Sequence, residues 1–355
     1  MASLLIVFFV LLAALLLLAF VGPLIYTIIE SPSDQPVRVD HNGANFDAVL
    51  QAERELFQAY DIDEYLAHIV ELDNPAVRVR VFEVGSGPPV IMIPGGAGVV
   101  AEMIDLISNL PGYRILAINR PGGGGSDGVD HRAVGMRTLA LKTINAVFEE
   151  FELDQAPIIG NSLGGLWTFW YALEEPGRVP KLVQLGVPAI VEGTGAVLPL
   201  RLMAVPGLNR LLIRAIRPDS PSEIREDAVR LGHPVEVGQT WPQARVEYMY
   251  RVRQLPTWDI AMPSLAEEML SPISASGLKP DAVLRLETLR GLRQPTLLVW
   301  GSDDPYGTLE AARDIEAALP NGKLHQVGIG HHPWWDDLET TTRLIREFLD
   351  EQTSD

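Results

Sequence analysis

Gly160-Asn161-Ser162-Leu163-Gly164 is the stretch of this chain best suited to covalent chemistry. An apolar run over residues 156–159 leads into it, and helix-like sequence over 166–173 follows at once. A strand that turns straight into a helix passes through a cramped corner. Glycines two residues before and two after the serine remove the Cβ atoms that would collide there. Ser162 is then forced into a strained conformation with its hydroxyl exposed at the sheet edge. The N–H of Leu163, in the first helical turn, lacks an intrahelical acceptor and points the same way.

A serine hydroxyl is a weak nucleophile at neutral pH, so it needs a base within hydrogen-bond reach and a third group to orient that base. Histidine is the natural base, because its ordinary pKa lies near working pH. Of the seven histidines, only His331 and His332 come directly after a predicted sheet strand, in Gly330-His331-His332-Pro333. The glycine before His331 permits a sharp loop back toward the strand ends, so His331 is favoured over His332. His41, His68, His131, His233 and His325 read as linker, strand or surface residues. The orienting acid is sought in Gly301-Ser302-Asp303-Asp304-Pro305, after the preceding strand. Two carboxylates beside a proline also suit a solvated turn, but their place at a strand's carboxyl end, ahead of the histidine, favours the catalytic reading.

These groups need a scaffold that brings distant segments together. Short apolar segments at 90–93, 114–118, 157–159, 182–185, 296–300 and 324–327 alternate with helical stretches at 100–110, 135–151, 166–173 and 309–319. Strands buried on both faces and separated by helices predict an α/β fold, a mostly parallel sheet with helices on both sides. In such sheets the site lies at the carboxyl ends of the strands. Ahead of them, a helical period over 46–60 precedes two strands, 65–72 and 77–84, joined as a hairpin. Val77, Val79 and Val81 alternate with Arg78 and Arg80, which predicts one wet face. Between the strands ending near 186 and starting at 296 lie proline-rich helical segments at 198–205, 208–216, 222–231, 244–255 and 261–270, read as a cap inserted over the sheet edge. Within it Leu202, Met203, Leu212, Met249, Tyr250 and Met269 read as cap core rather than substrate wall. The expected layout is an anchor at 1–29, a linker and helix at 30–64, an α/β core at 65–187 and 288–352, and a cap at 188–287.

Residues 2–21 are apolar apart from Ser3, and the run continues past Gly22-Pro23 to Ile29, long enough to cross a bilayer as one helix. A cleaved signal would want a basic start and a small-residue cleavage site, and neither is evident. The expectation is a single-pass membrane anchor. Arg38 alone supplies nearby basic charge, so the flanks set no orientation. A net charge of −18 argues against nucleic acid as a partner. The absence of cysteine excludes disulfides, thiolate metal sites and a cysteine nucleophile.

The order Ser, Asp, His is that of the α/β-hydrolase family, and from about residue 77 onward the chain resembles its capped members, the bacterial esterase-like and carbon–carbon-bond-hydrolase-like enzymes. By that resemblance Gly160 to Gly164 is the nucleophile elbow, Gly301 to Asp304 is the family's Gly-x-x-Asp, which makes Asp304 the acid ahead of Asp303, and Gly330-His331 is its Gly-His. The resemblance implies a catalytic set of Ser162, His331 and Asp304. It also implies an oxyanion hole from the amides of Leu163 and of Gly96, the latter in Ile93-Pro94-Gly95-Gly96. Pro94 stands where the family usually has histidine. Asn119, in Asn119-Arg120-Pro121-Gly122, replaces its usual aspartate. Gly123, Gly125 and Gly128 fit a dinucleotide glycine pattern, but mid-sheet and too far from a helix start to dock a pyrophosphate. Related dehalogenases and epoxide hydrolases carry aspartate at the elbow; serine implies an acyl-enzyme.

The expected function is a membrane-anchored serine hydrolase acting on an ester or related acyl bond of an apolar small molecule, without cofactor or metal. The alternatives are hydrolysis of a carbon–carbon bond in a dienoic diketone, to which Asn161 and the Trp334-Trp335 pair point, and a catalytically silent binding protein on the same fold.

Overall fold

The computed structural model describes residues 31–351. Eight strands form one sheet: β1 (Tyr65–Leu72), β2 (Val77–Val84), β3 (Pro89–Ile93), β4 (Arg114–Asn119), β5 (Ile158–Asn161), β6 (Leu182–Leu185), β7 (Thr296–Trp300) and β8 (Gly322–Gln326). Their order is β1-β2-β4-β3-β5-β6-β7-β8. The β1–β2 and β2–β4 pairs are antiparallel, and the others are parallel. Alternate residues of each central strand serve opposite faces, the period-2 geometry of a pleated sheet. Ile91, Ile158, Leu182 and Leu298 pack under the helices Met136–Glu150, Leu163–Glu174 and Leu309–Ala318. Met92, Ile159, Val183 and Leu297 pack against Ala44–Ala59, Ile104–Ser108 and Leu338–Asp350.

The expected wet face of β2 is wet only at Arg78, which is partly exposed. Arg80 is 4% exposed, because the helix Ala44–Ala59 lies over it. Its guanidinium donates to both carboxylate oxygens of Glu53 and sits over the Phe46 and Phe82 rings. A buried arginine is tolerable when a carboxylate neutralises it and its donors are used. The alternation of valine and arginine carries no sign of that cover, which arrives from a segment far back in the chain.

The turn after β4 is wired to the start of the described chain. Val37 bridges Gly128. Asp127 accepts from Val39 N, Arg38 Nη1 and the backbone and side chain of Arg78. The glycine pattern at 123–128 serves this turn, and the next helix begins only at His131.

Between β6 and β7 the chain is helical, with Leu198–Leu202, Leu208–Ile216, Glu226–Arg230, Val235–Thr240, Gln243–Arg253 and Pro256–Met269 as its main pieces. The last begins at Pro256, where proline's missing N–H costs nothing in the first helical turn, and runs through Pro263. It starts five residues ahead of the expected 261. Among the described residues no helix is long and apolar enough to cross a membrane. The anchor expected at 1–29 lies outside the described residues.

Candidate active site

Ser162 closes β5 and opens the helix Leu163–Glu174, with φ 51° and ψ −114°. A non-glycine residue holds such a conformation only where its surroundings impose it. They do: a Cβ at Gly160 would come within 2.7 Å of the Gly164 carbonyl oxygen, and one at Gly164 would run into the Ile93 carbonyl. The two glycines let strand, turn and helix pack this closely.

β7 and β8 deliver the partners. Asp304, 6% exposed, follows β7, and His331, 2% exposed, follows β8. Nδ1 of His331 lies 2.7 Å from Oδ2 of Asp304. The same Oδ2 accepts from Val187 N at 3.0 Å, and Oδ1 from Tyr306 N at 3.0 Å. Three donors on one buried carboxylate fix its orientation. Asp303 is exposed and bonded to Ser302 instead. The Tyr306 ring meets His331 edge-on at 4.6 Å. Ser162, Leu163, Gly96 and His331 line one cavity of about 320 Å³, roofed by the cap.

The loop after β3 is held by a cation. Arg120, 3% exposed, donates Nε to the Pro94 carbonyl at 3.1 Å and Nη2 to the carbonyls of Gly95 and Gly96. In a trans peptide the C=O and the following N–H point in opposite directions. Drawing the Gly95 carbonyl to Arg120 therefore turns the Gly96 N–H away from the guanidinium. Pro94, which has no side-chain donor, is accommodated because Arg120 organises this loop. Burial pulls the guanidinium down to about 10, with Glu102 opposing. Asn119 accepts from Val100 N at 2.7 Å and donates to the Gly124 carbonyl at 2.8 Å. An aspartate could not make the second bond.

The sequence profile described as alpha/beta hydrolase fold matches residues 88–338. The chain belongs to the α/β-hydrolase fold family. Among curated relatives, a 2-hydroxy-6-oxononadienedioate/2-hydroxy-6-oxononatrienedioate hydrolase of Burkholderia vietnamiensis is 26% identical over 79% of this chain and 94% of its own length. Among solved structures, naproxen esterase of Bacillus subtilis superposes with a TM-score of 0.62 at 16% identity, over 87% of this chain and 99% of that one. A membrane phospholipase A superposes with a TM-score of 0.58 at 19% identity, over 96% and 97%. This protein is a hydrolase.

Two residues of this α/β-hydrolase stand where the sequence did not put them. His233, assigned to linker, strand or surface, is 4% exposed and comes from the cap. Its Nδ1 donates to Oδ1 of Asp336 at 2.8 Å, and its Nε2 accepts from the backbone N of His332 at 3.1 Å. Asp336 Oδ2 also accepts from the amides of Ile329 and Gly330. Together with a bond from His331 N to the Leu231 carbonyl, these contacts make the cap a brace for the loop that carries His331. His131, also assigned away from the core, is 1% exposed and sits against Ser264 of the cap. Their partners are 99 to 133 residues away, so no local signal exposes them.

His332 takes a different part from its neighbour. Its Nε2 is 2.9 Å from Asn161 Oδ1, whose amide nitrogen donates to the Leu185 carbonyl. An amide oxygen only accepts, so His332 carries its proton on Nε2 and leaves Nδ1 bare. Burial, with the nearby His331, His233 and Arg245 side chains adding to it, holds its pKa well below the ordinary histidine value. It is a neutral strut between the elbow and the histidine loop. Nearby Glu102, whose Oε2 lacks a partner, is pushed up by burial.

The cap supplies most of the cavity's apolar wall. Met203, Met249 and Met269, expected in the cap core, line it. Two of them serve both parts: Met203 and Met249 also belong to buried apolar clusters of the cap and core. Among the described residues no three His, Cys, Asp or Glu side chains group as a metal site.

Proposed function

We propose that this hydrolase cleaves an ester, or a related acyl bond, of an apolar substrate through an acyl-enzyme. The observation that carries the reading is the short bond between His331 Nδ1 and Asp304 Oδ2, in a cavity that also holds the strained Ser162. Ser162 Oγ attacks the acyl carbonyl while His331 Nε2 takes its proton, and Asp304 holds the resulting imidazolium. The amides of Leu163 and Gly96 receive the developing oxyanion. Collapse expels the alcohol, protonated by His331. A water then attacks the acyl-enzyme with His331 as base, which releases the acid and restores the serine.

The lining supports an apolar acyl group. Leu200, Met203, Ile213, Met249, Met262 and Leu265 face the cavity. Its arginines are engaged by carboxylates: Arg253 and Arg230 by Asp227, and Arg217 by Asp259. The curated relative names a dicarboxylate, and a cavity whose cations are already neutralised attracts such a dianion poorly. Carbon–carbon hydrolysis is the second reading, favoured by the names of the curated relatives. Assaying p-nitrophenyl esters beside a coloured dienoic ring-fission product separates the two. Ester turnover that disappears in Ser162→Ala supports the first, and turnover of the coloured compound alone overturns it. The apolar run at 2–29 supports a membrane anchor; release of the full chain from membranes by alkaline carbonate would count against it.

A further inference from the structure

Residues 193–218 contain four arginines, Arg201, Arg210, Arg214 and Arg217, and no carboxylate, in a chain of net charge −18. Arg217 is paired with Asp259 from outside the segment, and Arg214 is the exposed one of the four. The same segment carries the largest cluster of exposed apolar side chains among the described residues. Leu198 is 66% exposed, Leu211 64%, Ile216 54%, and Leu202 and Leu208 38% each. They stand on the helices Leu198–Leu202 and Leu208–Ile216. Leu200 and Ile213 of those helices, and Met203 just after the first, line the active-site cavity. Ile216 is both exposed and part of the cavity wall, and the half-exposed Arg217 lines the wall beside it. The greasy exterior and the greasy interior therefore meet at one opening.

We propose that the helices Leu198–Leu202 and Leu208–Ile216 dock this hydrolase onto an anionic lipid surface, and that its acyl substrate enters the cavity from that surface between Ile216 and Arg217. The second half rests on the acyl-hydrolase reading; the first does not. Helices that show leucine and isoleucine to solvent between basic residues match the interfacial zone of a bilayer, where acyl chains meet anionic headgroups. Each basic residue near such a surface favours binding by about a factor of five. The rest of this acidic chain is repelled by the same charge, which turns the basic cap face toward the lipid. A second copy seated on the patch by two-fold symmetry would set arginine against arginine, so lipid is the better match.

The chain has no cysteine, so Leu211→Cys gives the full chain a unique attachment point for an NBD fluorophore. Asp314→Cys, on the exposed side of Leu309–Ala318, serves as the reference. In bilayers of phosphatidylcholine and phosphatidylglycerol with brominated acyl chains, the probe at 211 loses more than half its emission and the probe at 314 does not. Arg214→Glu, a change of two charges, shifts docking roughly thirtyfold toward the free state. An unquenched, blue-shifted probe at 211 would mean a protein cover, from the chain's own N-terminal residues or a second copy, and overturns the proposal. A water-like emission overturns it equally. Leu208→Glu with Leu211→Glu, both outside the cavity wall, leaves p-nitrophenyl acetate turnover unchanged and slows a bilayer-resident fluorogenic ester at least tenfold. Equal rates on that ester overturn the delivery route. If the unsubstituted chain turns over no ester at all, the acyl-hydrolase reading fails and the delivery half falls with it, while bromine quenching still decides docking.

Discussion

At the strand ends Asp304 is gripped by Val187 N, Tyr306 N and His331, and the loop at 94–96 by three bonds from Arg120. Above them the cap offers Met203, Met249, Met262 and Met269, unbranched side chains with many rotamers. One region fixes atoms to within a hydrogen bond's tolerance, and the other tolerates a range of shapes. Chemistry is assigned to the first and selectivity to the second. A substitution in the rim should therefore remove turnover for every substrate, whereas one in the cap should change which substrate is preferred.

The largest expected effect is at the elbow. Ser162→Ala should lower ester turnover by roughly 10⁶-fold and abolish fluorophosphonate labelling, with the melting temperature nearly unchanged. Next, Asp304→Asn should cost about 10⁴-fold in kcat, because the imidazole loses the acceptor that sets its tautomer. Asp303→Asn should change kcat by less than about twofold, as expected for an exposed side chain with a local partner; a large loss there would move the acid to the neighbouring residue. In the cap, Met203→Trp should lower kcat/KM for a long-chain p-nitrophenyl ester about 10- to 200-fold, the range for losing pocket fit, while the acetate ester stays within about twofold. A uniform loss over chain lengths would erase the division between rim and cap.

A smaller effect tests the seam between them. Burial of His131 against the cap pulls its pKa down to about 4, with Arg120 adding to the shift. Its folded pKa lies below the unfolded value, so the unfolded chain takes up the proton first. The stability is present above about pH 6.5 and is lost as the pH falls toward 4, on the order of 3 kcal/mol. His131→Gln should flatten that part of the curve in urea titrations at successive pH values. The smallest expected change is a gain: Ser162→Gly, inactive, should be about 1 kcal/mol more stable, since glycine accepts positive φ without strain.

The sheet was legible because parallel strands buried on both faces leave unbroken runs such as 296–300, and because glycine, serine, aspartate and histidine fall at their ends in a fixed order. Ser162 and His331 are read from that order, while the choice of Asp304 over Asp303 rests on the resemblance to the family's Gly-x-x-Asp. His233 did not, since what makes it a brace is Asp336, which reaches it only through the folded cap. Arg80 looked wet because β2 alone says nothing about the helix that covers it. In the cap, prolines mark both starts and interruptions: Pro256 opens a helix and Pro263 lies inside the same one. Met203, Met249 and Met269 carry a helical period either way; which side faces the void is a property of how the helices arch.

The cluster around Asp127 has a mechanical consequence. Near the start of the described chain, Val37 meets Gly128, and Arg38 and Val39 reach that carboxylate. A pull transmitted along the leader would be borne there, at the turn after β4 and by Arg78 of β2, on the sheet side of the molecule. That turn also meets the cap helix Pro256–Met269, whose Thr257 and Ser264 hydroxyls donate to the carbonyls of Gly122 and Val129, so a load placed on it would reach the roof of the cavity.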